Sequence, residues 1–108
     1  MDITDWRDKI DELDRKLVEL LNERASAARQ IGLLKRDSQL PIYEPDREKD
    51  VFDNVKKHNR GPLPERDLMQ LYERIIDVMR KLQRVEAEAN KPRTKGDGHT
   101  EIEAEVND

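Results

Sequence analysis

Two cations interrupt what should be an apolar face. Ile10, Leu13, Leu17, Leu20, Leu21, Ala28, Ile31 and Leu34 recur at helical spacing. Followed down that stripe, the pattern meets Arg24 and then Lys35 where apolar residues are due. At 100° per residue, these two positions lie within about 20° of one another and about 16 Å apart along a helix. Charges on an inward face are costly unless they are paired or face a polar cavity. An anionic ligand seated between helices would supply the missing partner. A plainer reading stands beside it. Long basic side chains reach water from the edge of a stripe, and Asp46 or Glu48 is available to pair with them. Spacing alone leaves both open.

Residues 41 to 52, PIYEPDREKDVF, hold the next candidates. Pro45 suits the first position of a helix, and acids suit its positive end. That describes Asp46 fully but leaves Arg47 and Glu48 free for another role. Gln83 follows Met79 by four residues and adjoins the apolar Leu82. A neutral amide there can donate to a ligand, or simply stand at a solvated edge. Arg7 precedes Arg24 by 17 residues, about 100° round the helix and about 25 Å along it. One chain cannot bring both to one small ligand, but an antiparallel partner helix could present its own Arg7. On spacing alone, an exposed first-turn arginine is the simpler description. Trp6, Tyr43 and Tyr72 read as packing residues.

The elements that must position these groups are helices. A cap at Thr4 or Asp5 opens a proline-free run to about Asp37, a helix of about 30 residues and about 45 Å. Ser38 to Pro45 breaks it, and a short helix follows from Pro45 to about His58, with Val51, Phe52 and Val55 as its apolar face. The stretch NRGPLPERD is a second break, with Pro64 placed for the first turn of a third helix. Leu68, Leu71, Tyr72, Ile75, Val78, Met79, Leu82 and Val85 form that helix's stripe. Residues 90–108 read as a flexible charged tail, and residues 1–89 as one helical domain.

Of the 108 residues, 43% are charged and 34% apolar, too few apolar groups for three helices to close round themselves. The expected fold is therefore all-α, long-short-long, in an intertwined homodimer that buries the stripes against a second copy. The net charge of -4 points away from nucleic acid. The chain has no cysteine, and its only histidines, His58 and His99, are far apart, so no metal site or other cofactor is expected. No signal-type or membrane-spanning apolar run is visible, and the expected setting is cytoplasmic.

Three stretches together carry a family resemblance: WRDKIDELDRKLVELLNERASAARQIGLLK, PIYEPDREKDVFDNV and LYERIIDVMRKLQ. The combination RxxIDxxDxxLxxLLxxR, then IGxxK, then DREKD, resembles the all-helical chorismate mutases of the shikimate pathway. It covers most of residues 6 to 85 and none of the tail. The resemblance implies an entwined dimer with two equivalent sites. Each would convert chorismate to prephenate by a Claisen rearrangement, for phenylalanine and tyrosine biosynthesis. By the same resemblance, Arg24 and the other protomer's Arg7 bind substrate carboxylates. Lys35 reaches the breaking ether oxygen and a carboxylate, and Gln83 the same oxygen. Glu48 holds the ring hydroxyl, with help from the Glu44 backbone, and Arg47 supports the carboxylate-binding wall. Two positions depart from the pattern: Glu44 replaces an aspartate, and Met79 stands where a serine often lines the site. A backbone contact survives the first change, and the second removes a hydroxyl near a carboxylate.

The reaction class suits the residue types. A Claisen rearrangement needs no nucleophile, proton transfer or metal. It needs the flexible enolpyruvyl arm folded over the ring and fixed donors at the ether oxygen as its negative charge grows. Two rivals remain. An isochorismate-pyruvate lyase shares the fold, but the resemblance associates an acid at position 48 with the mutase. A non-catalytic helical partner of an aromatic-pathway enzyme would need no Lys35, and such a partner enzyme is also compatible with the mutase reading.

Overall fold

The computed structural model describes residues 1–89; the tail expected at 90–108 lies outside them. Three helices account for the described chain, with no strand among these residues: α1 (Ile3–Ser38), α2 (Pro45–His58) and α3 (Glu65–Ala89). This is the long-short-long order read from the sequence.

The start of α1 differs from expectation by a few residues. Its cap is Asp2, not Thr4 or Asp5. The Asp5 backbone N–H donates to the Asp2 carboxylate at 3.0 Å, and the Asp2 N–H donates back to the Asp5 carboxylate at 3.1 Å. This reciprocal box satisfies two otherwise unpaired donors, which neither later start could do with the same pair. At the other end, Gln39 takes a left-handed backbone, φ 57°. The Leu40 N–H then reaches the Lys35 carbonyl at 2.8 Å, and the chain turns away from the helix.

The α2 bounds match the expected ones, with Pro45 in its first turn. Pro64 does not lie inside the first turn of α3, which begins at Glu65. Its carbonyl instead accepts the Leu68 N–H at 3.0 Å, the role of a residue just before the helix. Asn59 braces the loop between α2 and α3. Its side chain accepts from the Gly61 N–H at 3.0 Å and donates to the Leu63 carbonyl at 2.9 Å. Gly61 turns there with φ 72°.

The packing of the single chain is thin. Ala28, Ile76 and Met79 are its buried apolar side chains. They lie where α1 and α3 meet along their C-terminal halves. Gly32 allows the closest approach: a Cβ at that position would sit 2.6 Å from the Gln83 carbonyl oxygen. Most of the rest of the α1 stripe stands open, with Leu17 54% and Leu20 61% exposed. Trp6, expected to pack, is exposed as well.

Candidate active site

Lys35 is a buried charge, only 7% exposed. It sits on the face of α1 that meets α3, one turn beyond Gly32. An ammonium has three N–H donors and no acceptor, and each finds a partner. Lys35 Nζ donates to the Ile42 carbonyl at 2.9 Å and to Gln83 Oε1 at 3.0 Å. It forms an ion pair with Glu44 Oε1 at 2.7 Å. Since the ammonium can only donate, Gln83 must turn its oxygen toward it. The amide Nε2 hydrogens are thereby left for another acceptor.

Beside this cluster is a cavity of about 440 Å³. Ala28 and Ile31 of α1, Val51 of α2, and Ile76 and Met79 of α3 supply apolar wall. Arg24, Lys35, Glu44, Arg47, Glu48, Arg80 and Gln83 supply the polar wall. The fold therefore brings together seven of the residues singled out from sequence: Arg24, Lys35, Glu44, Arg47, Glu48, Met79 and Gln83. The eighth, Arg7, is exposed near the start of α1 and does not line the cavity.

Arg24 is half-buried and Arg47 exposed. Both also line a smaller recess of about 200 Å³ with Val51, Asn54, Val55 and Tyr72. Among the described residues, neither arginine has an ion-pair partner. The plainer reading of the inward cations had offered Asp46 or Glu48 as their counter-ions. The acid on Lys35 is instead Glu44, from the loop just before α2, and Arg24 has none.

Glu48 is engaged by a residue the sequence reading missed. Arg80 Nε donates to Glu48 Oε2 at 2.8 Å, and Arg80 Nη2 donates to Glu48 Oε1 at 2.7 Å. A third guanidinium nitrogen, Nη1, lies 3.3 Å from Asp77 Oδ1. The guanidinium also stacks over the Tyr43 ring, 5.1 Å from its centroid. Tyr43, read as a packing residue, is thus an exposed platform for Arg80. The hydrogen bond to Glu48, above all, raises the Arg80 pKa, with the charges of Glu48 and Asp77 adding to it against the effect of desolvation. A signal for Arg80 was present in the sequence. It lies three residues before Gln83 and four after Ile76, on the same side of α3. At the edge of an apolar stripe, though, an arginine reads as solvated.

The cavity can grip a small ligand bearing more than one anionic oxygen group. Arg24 and Arg47 offer planar forks suited to carboxylates, Gln83 offers its amide Nε2, and Lys35 offers a fixed charge whose Glu44 partner is half-exposed. Among the described residues, no group of three or more His, Cys, Asp or Glu side chains could hold a metal ion, and no helix is long and apolar enough to cross a membrane. The fold and site together define an all-helical protein with a cation-rich cavity between its helices.

Comparison with known proteins narrows that class. The family described as chorismate mutase type II matches residues 6–84. A bifunctional chorismate mutase/prephenate dehydratase of Aquifex aeolicus is 33% identical over 87 residues, covering 77% of this chain and 24% of that protein. This chain thus spans about a quarter of the length of that bifunctional relative. Chorismate mutase (form II) from Thermus thermophilus superposes with a TM-score of 0.73 at 30% identity, covering 75% of this chain and 92% of that one. Chorismate mutase from Helicobacter pylori in complex with prephenate gives 0.75 at 29% identity, covering 82% and 97%. The chain belongs to the type II chorismate mutase family.

Proposed function

We propose that the protein is a chorismate mutase, converting chorismate to prephenate. One observation carries this reading. The Lys35 ammonium and the Gln83 amide are locked 3.0 Å apart, on the wall of a cavity that also holds two unpaired arginines. Chorismate has two carboxylates and one ether oxygen to be served. Arg24 takes one carboxylate in a paired hydrogen bond, with Arg47 supporting the same wall. Met79 contributes apolar surface where a hydroxyl would otherwise donate, so the carboxylates rest on the cations.

The rearrangement moves six electrons round a ring of atoms. The ether carbon–oxygen bond breaks while a carbon–carbon bond forms at the enolpyruvyl end, and the ether oxygen becomes the new carbonyl oxygen. No proton enters or leaves. The protein therefore acts by holding the folded conformer and by placing donors at the ether oxygen. Lys35 and Gln83 Nε2 are those donors, and their bonds strengthen as charge develops there. Glu48 accepts the ring hydroxyl, assisted by the Glu44 backbone.

The active unit is an entwined homodimer. The exposed apolar faces of α1 and α3, including Leu13, Leu17, Leu20 and Leu71, support it, since contiguous faces of this kind are characteristic of interfaces. Arg7 then enters the partner's cavity as the second carboxylate ligand. A further partner enzyme of the aromatic pathway is compatible with the tail. The Aquifex aeolicus relative, named as a bifunctional chorismate mutase/prephenate dehydratase, supports a neighbour of that kind.

Prephenate formation from chorismate by the purified chain tests the reaction. Pyruvate release from isochorismate without prephenate formation would refute it in favour of a lyase. Sedimentation of the same sample tests the dimer, and a monomer at assay concentration would refute that part.

A further inference from the structure

Glu48 meets a difficulty in the cavity as proposed. It is an acid in a site for a dianion, so its charge opposes the ligand that its lone pairs help to hold. Left free, it would also compete with the ligand's carboxylates for Arg24, Arg47 or Lys35. Arg80 removes both problems. Its Nε and Nη2 take one lone pair from each Glu48 oxygen, at 2.8 and 2.7 Å. A carboxylate has about four acceptor sites, so two remain for a hydroxyl. The third nitrogen of the fork faces Asp77, and Tyr43 covers one face of the guanidinium. The paired fork formed by Nε and Nη2 is thereby committed to Glu48.

We infer that Arg80 is a positioning residue for ring-hydroxyl recognition: it holds Glu48 in one orientation and cancels its charge, so that an acid can serve in a dianion site. This rests on the chorismate mutase reading and deepens it. The charge pattern of the wall agrees. Four cations face two acids, Glu44 and Glu48. Once Lys35 pairs with Glu44, and Arg80 with Glu48, Arg24 and Arg47 remain as the unpaired cations of the wall. Three parts of the chain meet in this one unit: Tyr43 from the loop, Glu48 from α2 and Arg80 from α3. Discrimination by the hydroxyl therefore depends on α2 and α3 being docked.

Five proteins test the inference: wild type, Arg80→Met, Arg80→Lys, Glu48→Gln and the Arg80→Met/Glu48→Gln double variant. Arg80→Met keeps most of the stem volume and removes the fork. Its KM for chorismate is expected to rise about tenfold or more, the scale of a charge-assisted hydrogen bond, with a smaller change in kcat. The double variant should be no worse than Glu48→Gln alone, because Arg80 acts only through Glu48. Arg80→Lys should restore part of the lost affinity, since it returns the charge without the fork. Calorimetric titration with prephenate gives the same cycle without turnover. Independent, multiplying losses in the two single variants overturn the inference. So does an Arg80→Met protein that melts lower but keeps its KM, which marks a purely structural arginine. An active wild type with either result overturns the Arg80 claim alone. A wild type that neither turns over chorismate nor binds prephenate overturns the mutase reading and this claim with it. A wild type that binds prephenate without turnover refutes the catalytic reading, and the binding cycle then decides Arg80.

Discussion

Gly32 of α1 lies against the backbone of Gln83 in α3, with no room between them for a side chain. A Cβ at residue 32 would stand 2.6 Å from the Gln83 carbonyl oxygen and 2.9 Å from its Cα. Both neighbours are backbone, so neither can turn aside, and one helix must move. Lys35 is one turn further along α1, and its 3.0 Å bond to Gln83 spans this same crossing. The close approach of the helices and the spacing of the two donors are one geometric fact.

Gly32→Ala should therefore loosen the site as well as the fold. Overpacking of this kind costs about 1–3 kcal/mol, against a gain of under about 1 kcal/mol from better helix propensity. The expected result is a lower melting temperature and a roughly tenfold lower kcat, as small displacements of aligned donors are costly. Circular dichroism melts with chorismate kinetics on the same samples check it. Unchanged melting and unchanged kcat would show that the helices part there at no cost.

Much of this arrangement was legible before folding was considered. The proline at 45 and the run to His58 gave α2 its bounds, because local chemistry alone sets both ends. The inward turn of Lys35 followed from helical periodicity. What was hidden depended on a second element. Gly32 looks like a weak point within α1 until α3 is laid against it. Arg80 looks like a solvated edge residue until Glu48 comes within 2.7 Å. Glu44 belongs to a loop with no periodicity, so nothing in the sequence aims its side chain at Lys35. The start of α1 was misplaced for a different reason. Asp2, Thr4 and Asp5 are all capping types, and only the reciprocal bond between the two aspartates chooses among them.

Glu44 occupies the ammonium that the proposed mechanism assigns to substrate. All three Lys35 donors are already taken, and the Glu44 side chain is half-exposed, at 48%. It is thus the contact most readily exchanged for a substrate oxygen. Glu44→Gln removes the competing charge at nearly equal size. The KM for chorismate should fall about threefold, a modest effect because the half-exposed Glu44 end of the pair is screened by solvent, and kcat should change little. Steady-state kinetics at low ionic strength decide it, and a higher KM would show that the carboxylate assists binding.

The Arg80–Glu48 pair should not confer pH sensitivity through the arginine. The folded pKa of Arg80 is raised, chiefly by its hydrogen bond to Glu48. Stability from a raised group is fully present below the unfolded value and is lost only as pH rises through the folded one. For an arginine that window lies far above neutral pH. The stability difference between wild type and Arg80→Met should thus stay level from about pH 7 to about pH 10. Urea unfolding of both proteins across that interval checks it, and a difference that shrinks with pH would contradict a charged, paired arginine.

Arg7 and Lys35 lie 28 residues apart on one helix, about 42 Å at 1.5 Å per residue. No cavity of about 440 Å³ joins them within one chain. If Arg7 serves the partner's site, each active site draws on two chains, and damage can be segregated. Lys35→Ala alone should lose most of its rate, since removing one such donor costs about 3–4 kcal/mol, while remaining a dimer by sedimentation. Arg7→Ala alone should mainly weaken substrate binding, by the loss of one carboxylate partner. In a hybrid dimer of the two, one site carries both lesions and the other carries neither. Mixing the two variants after mild unfolding and refolding should therefore restore activity approaching half of the wild-type level in the hybrid fraction. Separation by a charge tag on one chain isolates that fraction for assay. Hybrids no more active than the average of their parents would place Arg7 outside the partner's site, leaving it as an exposed arginine near the start of α1.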